Sequence, residues 1–325
     1  MKAIVIQAGG PALAEVAQPV PQAREVLVRV HACALNRADL GMAAGHMHGA
    51  RGGAGTVLGM EFAGVVSAVG AQVTHVKPGD RVMGSGAGAF AEYAVADRGR
   101  VMPIPAASMS FEQAATLPVA LQTMHDAVIT HGQLKAGGSV LIQGASSGVG
   151  LMAMKIARLQ GASLVIGTST DAGRRAKLTE HGAHLALDTT DPAWVDAVLA
   201  ATDGKGVDLI VDQVSGPLAT ANLRATRILG RIVNVGRLGG MKAEFDFDLH
   251  ALRRISYIGV TFRTRSAEEV HEINRLMLAD LGAALADGRL SLPIDRSFAL
   301  AQTADALAHM KANRHFGKVV VTVAP

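Results

Sequence analysis

The segment between residues 139 and 262 repeats one pattern, in which a short apolar run is followed by a stretch of helical character. The apolar runs, which we predict as strands, lie at 139–144, 163–169, 184–188, 207–214, 230–236 and 256–262. The predicted helices lie at 148–160, from 172, near 192–202, near 217–228 and near 247–253. Strands that alternate with helices pair in parallel and have both faces covered. The segment therefore predicts an α/β fold with a six-stranded, doubly wound parallel sheet.

The residues on either side of this segment follow a different pattern. Residues 1–120 contain short β-type runs separated by glycine and proline turns, which predicts an irregular β-barrel. A long helix is predicted near 266–287, and the last run, "GKVVVTVA", predicts a strand that returns to the barrel. We therefore expect one domain from residues 1–120 and 261–325, and a second domain from residues 121–260.

Composition narrows the class of protein. Of 325 residues, 49% are hydrophobic and 18% are charged, which is typical of a well-packed soluble protein with room for two domains. No apolar stretch approaches the length of a membrane span, and the N-terminal run is too short for a signal peptide. The net charge of +4 comes from scattered basic residues without an aromatic platform for bases. We therefore expect no nucleic-acid or membrane partner and a cytoplasmic location.

The single cysteine, Cys33, limits what the chain can build. One cysteine excludes a disulfide framework and a cysteine-rich zinc lobe. We expect Cys33 to be a small buried hydrophobic residue.

The stretch "VLIQGASSGVG" at 140–150 joins the first predicted strand of the sheet to its helix. Its small residues expose backbone N–H groups at a helix N-terminus, where the partial positive charge suits a diphosphate. Ala145, Ser147 and Gly150 occupy the three places of the dinucleotide-binding pattern G-x-G-x-x-G. The alternative is a tight turn without a ligand. The residues that we expect to hold a diphosphate are Gly144, Ala145, Ser146, Ser147, Gly148, Val149 and Gly150.

The end of the second strand bears on the choice between NADPH and NADH. Enzymes that use NAD place an acidic residue here, which binds the adenosine ribose and repels a 2′-phosphate. The matching residue is Ser169, and Arg174 and Arg175 follow within the next helix. Hydroxyl and guanidinium groups suit a phosphate, so we expect NADPH. Two alternatives are that the arginines form a solvated helix face, and that Asp171, which we expect to cap the helix, is the ribose acid.

Several stretches together resemble the medium-chain dehydrogenase/reductase superfamily over the full length of the chain. They are "ALNRADL" (34–40), "VLGMEFAGVVSAVG" (57–70), "VKPGDRV" (76–82), "GASSGVG" (144–150), "FRTRSAEE" (262–269) and "GKVVV" (317–321). Within the superfamily, the chain is similar to the zinc-free, zeta-crystallin-like quinone oxidoreductases. The resemblance implies a Rossmann sheet with a GroES-like barrel, and a homodimer joined through the edge strand 256–262. It also implies hydride transfer from NADPH to a quinone.

The resemblance also places the metal positions of the zinc-dependent relatives on this chain. By register their catalytic ligands fall on Asn36, Met60 and Val119, and none of these is a plausible zinc ligand there. Glu61 is retained beside them, but alone it cannot hold a metal, so we expect none. Without a Lewis acid to stabilise an alkoxide, hydride can still pass to an acceptor that delocalises negative charge itself, such as a quinone or a polarised enone.

Further site residues are implied by the resemblance. Asn36, Thr123 and Arg263 are expected near the reacting atoms, and the alternatives are a loop-bracing asparagine, a helix-start threonine and a surface arginine. Further cofactor contacts are expected from Gly236, Arg237, Leu238, Thr261, Phe262, Asn313, Phe316 and Gly317.

The loop at 41–56 departs from the pattern of the relatives. It lacks the tyrosines that many of them carry over the substrate, and it offers His46 and His48 instead. Either histidine is a proton donor near neutral pH or an exposed loop residue. The departure leaves the acceptor open. An enone or 2-alkenal reductase, and a non-catalytic NADPH-binding protein of the crystallin type, are the alternatives to a quinone oxidoreductase.

Overall fold

Two stretches at the ends of the chain build one unit, and the stretch between them builds another. The computed structural model describes residues 1–105 and 108–323. Met1–Ala120 and Phe262–Pro325 form the first unit, and Leu121–Thr261 form the second. We call them the split unit and the inserted unit.

The N-terminal part of the split unit consists mainly of strands. These are β1 (Lys2–Gln7), β2 (Gly10–Glu15), β3 (Glu25–Ala34), β4 (Glu61–Val69), β5 (Arg81–Ser85), β6 (Tyr93–Asp97) and β7 (Val101–Pro103). The helices are α1 (Arg37–Ala43), α2 (Phe111–Ala115) and α3 (Pro118–His125). The last residues of α3 belong to the inserted unit.

The inserted unit alternates strands and helices. Its strands are β8 (Ser139–Ile142), β9 (Leu164–Thr168), β10 (Leu185–Leu187), β11 (Val207–Asp212), β12 (Thr226–Asn234) and β13 (Ser256–Gly259). Its further helices are α4 (Gly148–Leu159), α5 (Ala172–Ala176), α6 (Trp194–Ala200), α7 (Ala219–Ala225) and α8 (Phe247–Arg253).

The six strands of the inserted unit form one sheet in the order β10-β9-β8-β11-β12-β13. Every pairing in it is parallel. The central strands β8 and β11 are almost wholly buried, which explains why their sequences are continuous apolar runs. The structure thus confirms the predicted doubly wound sheet, with β13 at one edge.

One predicted helix is too long. The pattern predicts a helix near 217–228, but α7 ends at Ala225 and β12 already begins at Thr226. The buried Thr226 turns extended, and its Oγ1 donates to Asn222 O at 2.7 Å, which terminates the helix. Its backbone pairs with Val207 of β11. Periodicity alone favoured the helix because residues 227–229 are apolar or long-chained, yet they are exposed.

The C-terminal part of the chain completes the split unit. It contains α9 (Ala267–Ala286), β14 (Ile294–Ala299), α10 (Thr303–Lys311) and β15 (Lys318–Thr322). β15 pairs antiparallel with β3, so the run "GKVVV" returns to the first module as predicted. The longer predicted run "GKVVVTVA" includes Ala324, which lies outside the described residues.

The main sheet of the split unit has the order β14-β15-β3-β4-β5-β7, and β6 also pairs with β3. Its core packs aliphatic side chains around Phe62 and Phe90. Cys33 is fully buried in this core, as predicted.

Candidate functional site

The predicted cofactor residues of the inserted unit lie just beyond the carboxyl ends of its parallel strands. The glycine turn follows β8, and Ser169 follows β9. Gly236 and its neighbours follow β12, and Thr261 follows β13. Ligands of doubly wound sheets bind in the crevice outside these strand ends. The sheet therefore brings the predicted residues of this unit to one edge.

The glycine turn is tightly packed against the start of α4. Gly144 has a φ of 71°, which favours glycine. A Cβ on Gly150 would lie 2.6 Å from Gly144 O, so the turn leaves no space for a side chain there. Ser147 caps α4 by accepting a hydrogen bond from Gly150 N–H at 3.1 Å.

Free backbone donors remain at the start of α4. Among the described residues, no acceptor takes the N–H groups of Gly148 and Val149. Donors of this kind at a helix N-terminus suit the diphosphate of a dinucleotide. The turn therefore fits the group that the sequence predicts.

A buried chain of side chains lies beneath the turn. Gly144 N–H donates to Thr168 Oγ1 at 3.1 Å, and Thr168 donates to Gln143 Oε1 at 2.8 Å. Gln143 Nε2 donates to Asn222 Oδ1 at 2.8 Å, and Asn222 Nδ2 donates to Asp212 Oδ2 at 3.0 Å. All donors point the same way, toward the carboxylate, so each bond strengthens the next. We call these residues the polar chain.

Asp212, at the end of the polar chain, also holds the loop after β11. Its Oδ1 accepts the N–H groups of Val214 and Ser215 at 2.8 and 2.9 Å. Burial raises the pKa of Asp212, although these bonds and that from Asn222 oppose the shift. Through the polar chain, the Asp212 carboxylate thus connects the glycine turn after β8 to the loop after β11.

The loop after β12 packs closely on the loop after β11. A Cβ on Gly236 would lie 2.5 Å from Gln213 O, so this predicted cofactor residue must be glycine for a local reason. Leu238 N–H donates to Gln213 O at 3.2 Å, and Arg237 lies between Gly236 and Leu238 in the sequence.

The predicted residue Thr123 is buried within α3.

The two arginines after β9 have different surroundings. Arg175 Nη1 donates to Ser169 O at 2.9 Å and to Asp188 Oδ2 at 2.8 Å. Arg174 Nε lies 3.7 Å from Asp171 Oδ1. Asp171 caps α5 by accepting Arg174 N–H at 2.8 Å, and this bond lowers the pKa of Asp171. The geometry shows that Asp171 caps the helix, and the contact of Arg174 with a phosphate stays a prediction.

In the split unit, Asn36 belongs to a buried charged cluster. Lys318 Nζ donates to Glu61 Oε1 at 2.5 Å, to Leu35 O at 3.0 Å and to Asn36 Oδ1 at 3.1 Å. Asn36 Nδ2 donates to the same Glu61 oxygen at 2.8 Å. Glu61 Oε2 accepts Val119 N–H at 2.9 Å. All three hydrogens of the ammonium therefore have acceptors.

A second acidic residue lies beside this cluster. Asp39 is fully buried and accepts Asn36 N–H at 2.7 Å. Burial raises the pKa of Asp39 to about 7, against the opposing effects of this bond and of Lys318. Asp39 is therefore a carboxyl group that titrates near neutral pH.

The positions that match zinc ligands do not fit a zinc ion. Asn36, Met60 and Val119 offer one amide, one thioether and one aliphatic side chain. The nearby carboxylate is bonded to an ammonium group. In the described part of the chain, no group of three or more His, Cys, Asp or Glu residues could hold a metal ion.

Arg263, another predicted residue of the split unit, lies beside the loop at 41–56. Gly49 packs on Arg263, because a Cβ there would lie 2.6 Å from Arg263 O. Burial, with the nearby charges of Arg263 and Arg51, lowers the pKa of His48, which favours the neutral imidazole. His46 is exposed. Loop 41–56 and Arg263 are therefore neighbours.

The loop before β15 is held by side chains of the same unit. Asn313 Oδ1 accepts from Arg37 at 2.9 Å, and Phe316 N–H donates to Asp295 Oδ1 at 3.0 Å. Gly317 has a φ of 85°, and a Cβ there would lie 2.3 Å from Pro293 O. Gly317 is thus required for the chain to enter β15.

Sequence reasoning missed Lys318 and the polar chain. Lys318 opens an apolar strand, and a lysine at a strand start normally lies in solvent. Asp212 is the last residue of the apolar strand β11, and an acidic residue at the end of a buried strand could have indicated a functional or structural role. The partners Gln143, Thr168 and Asn222 carry no pattern of their own.

Two family models match the chain. Residues 22–106 match the alcohol dehydrogenase GroES-like domain, and residues 148–279 match the zinc-binding dehydrogenase family. Human quinone oxidoreductase is 31% identical over 94% of this chain and 92% of its own length. A mycocerosic acid synthase-like polyketide synthase of Mycolicibacterium smegmatis is 31% identical over 93% of this chain, which spans 14% of that protein.

Solved structures share the fold over nearly the whole chain. Quinone oxidoreductase from Pseudomonas syringae pv. Tomato DC3000 has a TM-score of 0.86 at 28% identity, covering 99% of this chain and 100% of that one. CurK enoyl reductase has a TM-score of 0.86 at 25% identity, covering 99% of both chains. Across residues 1–105 and 108–323, none of the helices has the length and apolar character needed to span a membrane.

Proposed function

We propose a function on the premise that this chain belongs to the medium-chain dehydrogenase/reductase superfamily, in its quinone oxidoreductase branch. It is an oxidoreductase on a fold that binds a nicotinamide cofactor. Our proposal is an NADPH-dependent quinone oxidoreductase that works without zinc.

The observation that carries the proposal is the buried Lys318–Glu61 pair. It lies against Asn36 and Val119, two of the positions that match zinc ligands in the dehydrogenases of this superfamily. Alcohol oxidation depends on a Lewis acid at that place. Reduction of a quinone does not, because the product anion spreads its charge over the ring. The pair therefore favours an acceptor that stabilises its own negative charge.

The residues of the inserted unit that fit NADPH divide by the part of the cofactor they would hold. The N–H groups of the glycine turn would hold the diphosphate, and Ser169 with Arg174 would hold the 2′-phosphate. Arg175 would support Ser169. Backbone groups of Gly236, Arg237, Leu238 and Thr261 would hold the nicotinamide carboxamide. Phe262, Asn313, Phe316 and Gly317 are the proposed contacts from the split unit.

Bound NADPH supplies a hydride, and solvent supplies the proton that completes reduction of a quinone to a hydroquinone. The protein contributes position and electrostatics. Asn36 is proposed to donate to the acceptor carbonyl, Thr123 to orient the nicotinamide, and Arg263 to face the acceptor beside loop 41–56. Burial lowers the pKa of His48 and so favours the neutral imidazole, which can donate a hydrogen bond there.

A second candidate function is reduction of an enone or 2-alkenal. The similarity to CurK enoyl reductase favours it, and the same residues would serve it. A third candidate function is that of an NADPH-binding protein without turnover, which requires the cofactor site but no site for an acceptor.

A spectrophotometric screen distinguishes these functions. NADPH and NADH oxidation would be followed with quinones, enones and aldehydes as acceptors. We expect NADPH to be oxidised fastest with quinones. Preference for enones would assign the second function, and cofactor binding without turnover would assign the third. Faster oxidation of NADH would contradict the interpretation of Ser169 and Arg174.

Metal analysis tests the zinc-free proposal. We expect the purified protein to contain no stoichiometric zinc and to keep its activity in a chelator, because a lysine ammonium is bonded to the retained glutamate. One zinc per chain, with activity lost on its removal, would contradict the proposal.

A further inference from the structure

The side-chain amide of Asn36 lies between two opposite charges that are themselves buried. Lys318 is 3% exposed and Glu61 is 0% exposed. Lys318 bonds to Asn36 Oδ1 at 3.1 Å, while Asn36 Nδ2 bonds to Glu61 Oε1 at 2.8 Å. An ammonium only donates and a carboxylate only accepts, so the two partners fix which end of the amide carries the oxygen.

The two charges polarise the amide in the same direction. The ammonium stabilises negative charge on Oδ1, and the carboxylate stabilises positive charge on the NH₂ group. Both effects favour the polar resonance form of the amide, and they are strengthened because Lys318 and Glu61 are buried. In that form the N–H groups are better hydrogen-bond donors.

One hydrogen of this polarised NH₂ group is weakly held. The first points to Glu61, and the second has Ala34 O as its acceptor at 3.5 Å, the outer limit of a hydrogen bond. A carbonyl oxygen that approached Asn36 would displace only this weak contact.

We propose that Lys318 and Glu61 are positioning residues that act through Asn36. Asn36 donates its second N–H to the acceptor oxygen on which negative charge collects during reduction. The inference rests on the proposed function. A polarised amide would then meet, in this chain, the electrostatic need that a Lewis acid meets in the zinc enzymes.

The test variant removes both charges together. Lys318→Met alone leaves a buried carboxylate without a cation and is expected to misfold, whereas removing both partners of a buried pair is tolerated far better. The double variant Lys318→Met/Glu61→Gln is therefore compared with Asn36→Ala and with the triple variant. Asn274→Ala is the control, since Asn274 is another buried amide of the split unit, bonded to Gly99 O at 2.8 Å.

We expect Asn36→Ala to lower kcat for an enone at least about tenfold, because it removes one oxyanion donor. The double variant should also lower this kcat, but by no more than Asn36→Ala, because the donor remains and only its polarisation is lost. The triple variant should lose no more than Asn36→Ala, because the pair acts through that residue. The loss should be smaller for quinones, which spread the charge themselves. The NADPH dissociation constant, measured by fluorescence, should stay within about twofold throughout, as it should in Asn274→Ala.

Two outcomes would overturn the inference. One is an additive loss in the triple variant. The other is a kcat loss that is equal for every acceptor and accompanied by weaker NADPH binding, which is the mark of a purely structural role.

A readout without turnover separates this inference from the proposed function. If the wild type reduces neither quinones nor enones, the proposed function fails, and the amide is judged by NMR. The Asn36 side-chain proton resonances, assigned by their loss in Asn36→Ala, should lie downfield of those of Asn274 and move toward them in the double variant. Unmoved resonances would overturn the inference whatever the enzyme's activity.

Discussion

At the scale of single residues, Arg174 and Arg175 show how neighbours in sequence take different roles. Arg175 is held by the Ser169 carbonyl and by Asp188, so its guanidinium is part of the fold. The Arg174 guanidinium approaches the cap residue Asp171, whose side chain is 51% exposed. Arg174 thus pairs with a half-exposed carboxylate, whereas Arg175 pairs with the less exposed Asp188.

Replacement of Arg174 tests the choice of cofactor. Arg174→Ala should raise the NADPH dissociation constant at least about tenfold, because a charge-assisted hydrogen bond contributes about 1.5–3 kcal/mol. NADH, which has no 2′-phosphate, should change by less than about threefold. Arg175→Ala is the matched control and should lower stability more than it changes the ratio of the two affinities. A wild type that binds NADH better than NADPH would make Asp171 the ribose acid.

Asp39 predicts how stability depends on pH. Burial raises its pKa in the folded protein from 3.8 to about 7, so between these values the folded state binds more protons than the unfolded state. The free energy of unfolding should therefore fall as pH rises from about 4 to about 7. Urea unfolding at a series of pH values measures this slope. Asp39→Asn keeps an acceptor for Asn36 N–H and should flatten the slope, and an unchanged slope would assign it to another group.

At the scale of elements, the polar chain joins the ends of β8, β9 and β11. Thr168 joins the glycine turn to the rest of the polar chain, because it accepts a hydrogen bond from Gly144 and donates one to Gln143. Packing of helices and strands alone would allow these strand ends to shift relative to one another. The directed hydrogen bonds of the polar chain fix their relative positions.

Thr168→Val removes this link while keeping the side-chain shape. It leaves Gly144 N–H and Gln143 Oε1 unsatisfied and should lower the free energy of unfolding by about 1–3 kcal/mol. NADPH affinity should fall as well, since the glycine turn loses its support. Ser139→Ala is the control at the opposite end of β8, where Ser139 bonds to Asp208 at 2.7 Å. It should affect stability and spare NADPH binding. Equal NADPH affinities in the two variants would contradict this role for Thr168.

The elements of the inserted unit could be predicted well because apolar runs and helical stretches alternate at regular spacing. The boundary of α7 could not, because it depends on the pairing of Thr226 with Val207, a contact made only in the folded sheet. The charged cluster around Asn36 could not be predicted for the same reason, since it depends on contacts made only in the folded protein. Asn36 was found through its place in a motif, but its orientation depends on Lys318, which lies 282 residues away. No local pattern reports a contact at that distance.

At the scale of the whole molecule, β13 is an edge strand of the inserted sheet, and in residues 1–105 and 108–323 no further strand pairs with its outer side. Its neighbouring surface carries the exposed aromatic residues Phe247 and Tyr257, which contact Phe245. An open edge beside apolar side chains invites pairing with a second copy. We therefore propose a homodimer joined through β13.

Two substitutions by lysine on β13 test the proposed dimer. Ser256 and Gly259 are exposed, and a Cβ on Gly259 meets no atom within 4 Å, so Ser256→Lys/Gly259→Lys introduces charge without internal clash. Light scattering should show a dimeric wild type and a monomeric variant at micromolar concentration. Gly282→Lys is the control, since that position on α9 is equally open. A monomeric wild type would contradict the proposal.

The long separation of Lys318 from Glu61 also has a consequence for biosynthesis. The ribosome adds Lys318 257 residues after Glu61, and the whole of Leu121–Thr261 is made in between. Until β15 emerges, Ala32–Ala34 of β3 lack this partner strand and the Glu61 carboxylate lacks its cation. The inserted unit, whose sheet comes from one continuous segment, can fold while the rest of the chain is still being made. The main sheet of the split unit therefore cannot be completed until β15 has been synthesised, and until then this edge of β3 is unpaired.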